Sequence, residues 1–465
     1  MTDPQLFSPD GRPRARSLGI APAGRPGPWN AITDVPGVEV GYRTVIFGEG
    51  PLRVGAGPAR TGVTAILPRG RDGVGRPCAA GWYSLNGNGE MTGTAWIDEV
   101  GQLSMPITIS NTHAIGPCHA GVVEWINRAH PALAREWLLP VCAETWDGYL
   151  NDINGGHITP ALVAETLDAA RTWPLLEGSV GGGTGMNCYG FKGGTGTASR
   201  QLPFGPDTYT VGVLIQANFG AREELTIAGH RLGAALTTDN PQETTPWHRA
   251  PGDAASHRAQ SGVVGGPVGT ATHSPEGGSA RGAEGGGARI AEGRSVRGPE
   301  DWSAHGVEGG SARDVGGAGR HGGVWGSGDS GVRVPGGAGS VIVIVATDAP
   351  LDALQCKAMA RRVPFGLART GTTGSLFSGD LFLAFSTASD RPSDTGFPRG
   401  EPSAEELVNT PRLPWNRMDA FYTAVVEAVE ESVLNALIVN SDMTGRDGHR
   451  SPALPHDRLR ELLGR

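Results

Sequence analysis

A glycine-rich approach that stops abruptly at a strongly apolar strand constrains this chain more than any other feature. Pro335-Gly336-Gly337-Ala338-Gly339-Ser340 is followed at once by Val341-Ile342-Val343-Ile344-Val345-Ala346-Thr347-Asp348-Ala349-Pro350. Five successive β-branched residues, with glycines before them and Asp-Ala-Pro after, predict a fully buried strand. Other Gly-Ser pairs occur at Gly278-Ser279, Gly310-Ser311 and Gly326-Ser327, but no strand follows them. Taken alone, Gly339-Ser340 reads as the end of a loop, so the rest of the chain has to decide its meaning.

Residues 30 to 235 read as globular. Val63–Leu67 and Tyr209–Ile215 predict strands, with glycine-rich turns between apolar runs. Pro160–Ala170 predicts a helix whose proline lies in the first turn, where its missing donor costs little. After residue 340 come the strand 341–346, a helix from Leu351 to Arg362 that Pro364 is expected to end, and a strand at Leu381–Phe385. Asn416–Val439 predicts a long helix. Met418, Phe421, Tyr422, Val425, Val426, Val429 and Val433 lie on its buried face, with Asp419, Glu427, Glu430 and Glu431 off it.

Between these halves, 239–334 is rich in Gly, Ala, Arg, Glu and Ser and poor in Leu, Ile and Phe. Such a segment cannot offset an ordering entropy of roughly 1–2 kcal/mol per residue, which predicts a disordered insertion. Strands and helices on both sides of it predict one layered α/β domain over 30–465, preceded by an N-terminal extension at 1–29.

The net charge of −8 is mild and carries no electrostatic footprint for nucleic acid. No run is long and apolar enough for a membrane span, and residues 1–14 lack the core of a signal peptide. The five scattered cysteines contain no Cys-x-x-Cys pair and fit reduced thiols in a cytoplasmic protein. The histidines fall into no metal-binding frame, so no metal or other cofactor is expected.

Several clusters can carry chemistry. Glu144-Thr145-Trp146-Asp147-Gly148-Tyr149-Leu150-Asn151-Asp152 gathers acids, a tyrosine and an amide among residues apolar enough for partial burial. Gln216-Ala217-Asn218 ends a strand, Ser378-Gly379-Asp380 opens one, and glycine-threonine runs occur at 181–186 and 192–197. Turn formation is the competing reading for each, and neither glycine run has phosphate-loop spacing. No Gly-x-Ser-x-Gly elbow is present for a conventional serine triad.

Cleavage of Gly339-Ser340 would place a hydroxyl nucleophile and a free amine on one residue. An α-amine titrates near about 7.7–8.0, the poise wanted in a general base. Asn218 can then donate to an oxyanion, Ser378 and Asp380 can orient the amine and hydroxyl of Ser340, and Glu144 can hold a substrate ammonium group.

With these residues assembled, the chain resembles the DmpA-like serine aminopeptidases, the L-aminopeptidase/D-esterase-amidases and β-peptidyl aminopeptidases. The resemblance rests on Asp34–Val38, Leu85-Asn86-Gly87-Asn88-Gly89-Glu90-Met91-Thr92-Gly93, Glu144–Gly155, Gly181–Met186, Gln216–Gly220, Gly339–Val343, Ser378–Asp380 and Met443–Gly448. It implies a four-layer αββα sandwich that cuts itself into an α chain (1–339) and a β chain (340–465). It further implies Ser340 as nucleophile and its own amine as base, with Ser378 and Asp380 in support. Asn218 and Tyr149 would lie near the oxyanion and Glu144 at the substrate amine. Homo-oligomers, tetramers above all, acting on small peptides, amides or esters would be the working form. The long insertion at 239–334 departs from the short connector usual before the nucleophile. Two other readings remain: an acyltransferase like the ornithine acetyltransferases, which carry threonine where Ser340 stands, and an uncleaved relative that only binds amines.

Overall fold

The computed structural model describes residues 3–236, 239–244, 336–388, 400–401, 403–404 and 410–464. The chain divides into two compact units, Met1–His248 with Val332–Arg465, and Arg249–Gly331. The second unit, and with it nearly all of the expected insertion at 239–334, lies outside the described residues.

Two sheets build the first unit. One has four strands in the order β1-β2-β5-β6: β1 (Glu39–Phe47), β2 (Ala59–Leu67), β5 (Ile107–Asn111) and β6 (Val141–Thr145). The other has six in the order β4-β3-β14-β13-β10-β9. These are β3 (Cys78–Ser84), β4 (Gln102–Leu103), β9 (Gly194–Phe204), β10 (Asp207–Asn218), β13 (Gly339–Thr347) and β14 (Ser378–Ser386). Short ladders pair β7 (Asn187–Cys188) with β8 (Phe191–Lys192), β11 (Thr226–Ile227) with β12 (His230–Arg231), and β15 (Met443–Thr444) with β16 (Arg450–Ser451). The helices are α1 (Thr94–Val100), α2 (Ile115–Ala129), α3 (Pro160–Asp168), α4 (Pro241–Thr244), α5 (Ala353–Ala360), α6 (Val363–Arg369), α7 (Asp419–Ile438) and α8 (His456–Leu462).

Strand periodicity explains the layering. Successive residues of β13 point to opposite faces, so its apolar run serves two cores at once. Ile342 and Ile344 meet Val40, Ile66, Ile107 and Ile109 between the sheets. Val341, Val343 and Val345 meet Met359, Leu367, Phe421, Val425 and Val429 of the helices behind. Val63, Ala65 and Leu67 of β2 pack outward on Val122, Trp125 and Val163 of α2 and α3. Helices, sheet, sheet and helices follow in turn, which is the expected αββα sandwich.

The predicted helices and strands form, with two corrections. Pro364 does not stop a helix; α5 ends at Ala360 and Pro364 lies in the first turn of α6. Proline is tolerated there because that N–H has no intrahelical partner. Glu431, expected off the buried face of α7, is fully buried. Its carboxylate meets Arg16 at 2.6 Å and Arg200 at 2.8 Å and accepts from Asn30 Nδ2 at 2.7 Å. Burial would raise this carboxyl, yet the Arg16, Arg200 and Arg14 guanidiniums hold it below the usual carboxylate range. Arg200 comes from β9, and Arg16 and Asn30 come from the N-terminal segment, whose Ala15, Leu18 and Ile20 join the same helical core.

Candidate active site

Ser340 is the second residue of β13 and lies between two partners. It pairs antiparallel with Asn218, the last residue of β10, and parallel with Gly379 of β14. Ser340 has the parity of Ile342, and Asn218 that of Leu214, so both side chains take the face between the sheets. Directly opposed residues of such a pair hold their Cβ atoms about 4.5–5.5 Å apart. The position before Ser340 admits only glycine, because a Cβ on Gly339 would lie 1.9 Å from the Asn218 carbonyl oxygen.

Asn218 is held from two sides. Its Oδ1 accepts from the Asn187 N–H at 2.9 Å, and its Nδ2 donates to the Trp146 carbonyl at 2.9 Å. That bond uses one amide hydrogen and leaves the second for another acceptor. It also ties Asn218 to the loop after β6, where Tyr149 is buried and stacks on His449 with ring centroids 4.8 Å apart. The Tyr149 hydroxyl lies 3.3 Å from the Arg450 carbonyl that accepts from it. Partial burial was expected for the Glu144–Asp152 stretch, and Glu144, Asp147, Asn151 and Asp152 are all buried. Burial pushes the Asp147 carboxyl up to about 7 against hydrogen bonds from Thr61, Asn151 and Asn111.

Ser378 and Asp380 flank the junction from β14, where Gly339 pairs with Ser378 and Val341 with Asp380. Their parity is that of Phe382, on the helix-facing side of the sheet. They therefore approach the backbone on either side of Ser340 from the face opposite its hydroxyl. Ser378 Oγ donates to Asp380 Oδ1 at 2.5 Å. Burial raises the Asp380 carboxyl, opposed by hydrogen bonds from Ser378, Asn86 and the Val341 amide.

Asn86 was missed as a site residue. Its Nδ2 donates to Asp380 Oδ2 at 2.9 Å and to the Ser375 carbonyl at 2.9 Å, while its Oδ1 accepts from the Asp380 N–H at 2.7 Å. One amide thus fixes both the backbone and the carboxylate of Asp380. The sequence signal was an asparagine leaving a strand into a glycine-rich loop, which reads first as a turn former.

That loop joins the sheets at their edge. Leu85 N–H donates to the Asp380 carbonyl at 3.0 Å, and farther along Thr92 N–H donates to the Cys142 carbonyl at 2.9 Å. Between them Glu144 Oε1 accepts from the Glu90 N–H at 3.0 Å, and Glu144 Oε2 accepts from the Thr112 hydroxyl. Burial raises the Glu144 carboxyl, with Thr112 and the Glu90 amide opposing and the Glu90 charge adding to the rise. Gly379 and Gly89 lie against each other: a Cβ on Gly379 would be 2.7 Å from Gly89 Cα, and one on Gly89 would be 3.1 Å from Glu144 Oε1. A single Cβ on Gly89 would thus meet both Gly379 Cα, at 2.9 Å, and the Glu144 carboxylate, so the strand neighbour of Ser340 and Glu144 face the same side of Gly89. Gly379→Ala would also bring its Cβ to 2.4 Å from the Asn88 carbonyl. We expect it to displace the loop and lower kcat/KM about 10²-fold, as measured by steady-state kinetics.

The two glycine-threonine runs serve packing. A Cβ on Gly182 would lie 2.2 Å from Gln216 Oε1, and one on Gly196 would lie 2.0 Å from the Ser432 carbonyl of α7. Among the described residues no group of histidine, cysteine or carboxylate side chains is arranged to hold a metal ion. None of the described helices is long and apolar enough to cross a membrane.

Comparison with known proteins agrees with this architecture. The profile of peptidase family S58 matches residues 30–451. The beta-peptidyl aminopeptidase BapA of Sphingosinicella microcystinivorans is 39% identical over 451 residues, 97% of this chain and 92% of that protein. The solved L-aminopeptidase D-Ala-esterase/amidase of Ochrobactrum anthropi is described as a prototype serine aminopeptidase with a variant Ntn hydrolase fold. It matches with a TM-score of 0.73 at 36% identity, covering 97% of this chain and 98% of that one. A Burkholderia sp. beta-aminopeptidase matches with a TM-score of 0.70 at 34% identity, covering 97% and 98%. Such matches define a hydrolase, a serine aminopeptidase of the N-terminal-nucleophile type. The chain belongs to peptidase family S58.

Proposed function

We propose that the chain cuts itself between Gly339 and Ser340 and that the new N-terminal serine then removes amino-terminal residues from short peptides, amides or esters. The observation that carries this reading is the position of Ser340, at the head of the central strand with Asn218 on one side and Gly379 on the other. In the first reaction Ser340 Oγ attacks the Gly339 carbonyl carbon and its proton passes to the departing Ser340 nitrogen. An ester forms, and water hydrolyses it to leave Gly339 as a carboxylate and Ser340 with a free amine.

In turnover that amine accepts the Oγ proton as Oγ attacks the substrate carbonyl. The second Asn218 amide hydrogen meets the oxyanion, with Tyr149 in the adjoining loop as a further donor once its hydroxyl turns from the Arg450 carbonyl. Ser378 and Asp380, aimed by Asn86, hold the amine. The proton then passes to the leaving nitrogen, and water activated by the same amine releases the acyl group. Glu144 binds the substrate ammonium, which restricts the enzyme to free amino termini. The test is hydrolysis of alanyl p-nitroanilide beside its N-acetyl counterpart. Turnover of the first alone is expected, and equal turnover of both, or of neither, overturns the reading.

A pH dependence follows from Glu144. Its carboxyl is raised by burial, so it is neutral at pH values where an exposed glutamate is already charged. Ammonium binding is present above that raised value and lost as pH falls through it. The Ser340 amine, titrating near about 7.7–8.0, sets the first acid-side fall of kcat/KM. Loss of the Glu144 charge is expected to steepen that fall at a lower pH that is still above the usual carboxylate range, and a pH–rate profile of the native enzyme beside Glu144→Gln checks it.

We place the enzyme in the cytoplasm, supported by cysteines that are all free and buried. A homo-oligomer, with a tetramer favoured, is supported by the exposure of Leu354, Phe365 and Leu376.

A further inference from the structure

An open cleft of about 310 Å³ is lined by Gly89 and Glu90, the two residues whose backbone also meets Gly379 and Glu144. Trp82, Met91 and Leu381 form its apolar wall, and Thr92, Thr94 and Glu90 its polar one. All three apolar residues border the core between the sheets, the face that carries Ser340. The Glu90 side chain is exposed, while its N–H is bound to Glu144. The cleft therefore carries the Glu90 carboxylate on its wall, and Glu144 is joined to that residue through the Glu90 N–H. Among the described residues, no lysine, arginine or histidine lines it. Trp82 Nε1 donates to Asp98 Oδ2 at 2.9 Å, which adds another acid at the apolar wall, although Lys357 pairs with it at 2.9 Å.

We propose that this cleft takes the side chain of the substrate's amino-terminal residue and, through Glu90, selects lysine-like cationic side chains. The inference rests on the proposed aminopeptidase reading. With the α-ammonium on Glu144 and the carbonyl at Ser340, the first side chain is left beside Gly89, at the mouth of the cleft. A short side chain does not reach the Glu90 carboxylate. A leucine side chain gains the apolar wall alone. A lysine side chain lays its methylenes on Trp82, Met91 and Leu381 and brings its ammonium to Glu90, as long cationic side chains do on apolar surfaces. Because the Glu90 carboxylate is exposed, solvent screening limits this pair to roughly a three- to fivefold discrimination.

The test compares kcat/KM for lysyl and leucyl p-nitroanilide, with alanyl p-nitroanilide as reference, in the native enzyme and in Glu90→Gln. The readout is the lysyl-to-leucyl ratio within each protein, which a general loss of activity does not move. A native ratio of about three or more that falls to about one in Glu90→Gln is expected. A native ratio at or below one, or a ratio unchanged by the substitution, overturns the proposal while alanyl turnover leaves the aminopeptidase reading standing. Absence of turnover on all three amides overturns both.

Discussion

Ser340→Ala is expected to remain a single chain of 48.1 kDa with aminopeptidase turnover lowered by about 10³-fold or more. The substitution removes one oxygen from a position that makes no packing demand a methyl group cannot meet. β13 keeps its register with Asn218 and Gly379, so the sandwich should fold as before. What disappears is the nucleophile of both reactions. Without the first, Ser340 never becomes an N-terminus and the amine base never forms; without the second, no acyl-enzyme can form. Ser340→Cys separates these losses from misfolding, because a thiol can still attack Gly339. That variant is expected to yield two chains, observed by denaturing electrophoresis beside an activity assay.

Glu144→Gln is expected to split the two reactions the other way. Self-cleavage has no substrate ammonium to bind, since the Gly339 nitrogen is part of the chain. Processing should therefore run as in the native protein. Turnover of a free-amino substrate loses a charge-assisted contact made in a buried site, and kcat/KM should fall about 10²-fold. The side-chain amide keeps the shape of the carboxylate between Thr112 and the Glu90 amide, so the loop remains supported. Processing time courses and steady-state kinetics on one preparation check both halves. Equal loss of both reactions would mean that Glu144 supports the fold of the site rather than the substrate.

Much of this site was legible from local pattern. The β-branched run after Ser340 announces a strand buried on both faces, and Leu381–Phe385 announces its parallel neighbour. Residues near the ends of those strands then fall together once the register is set. Long-range partners were not legible. Asn86 meets Asp380 across 294 positions, and Glu431 meets Arg16 across 415. No local periodicity encodes either pairing. Asn86 looked like a turn residue, and Glu431 looked solvent-facing because the segment that covers it lies at the other end of the chain. Pleat was the remaining gap. Ser378 and Asp380 flank Ser340 in the register, but only the alternation along β14 reveals that they face away from its hydroxyl.

Denaturing mass spectrometry of the purified native protein tests the central claim most directly. Two chains are predicted, one ending at Gly339 or trimmed short of it, the other beginning at Ser340 and ending at Arg465. A single 48.1 kDa chain after long incubation at neutral pH would contradict the account, because the proposed base would then never exist.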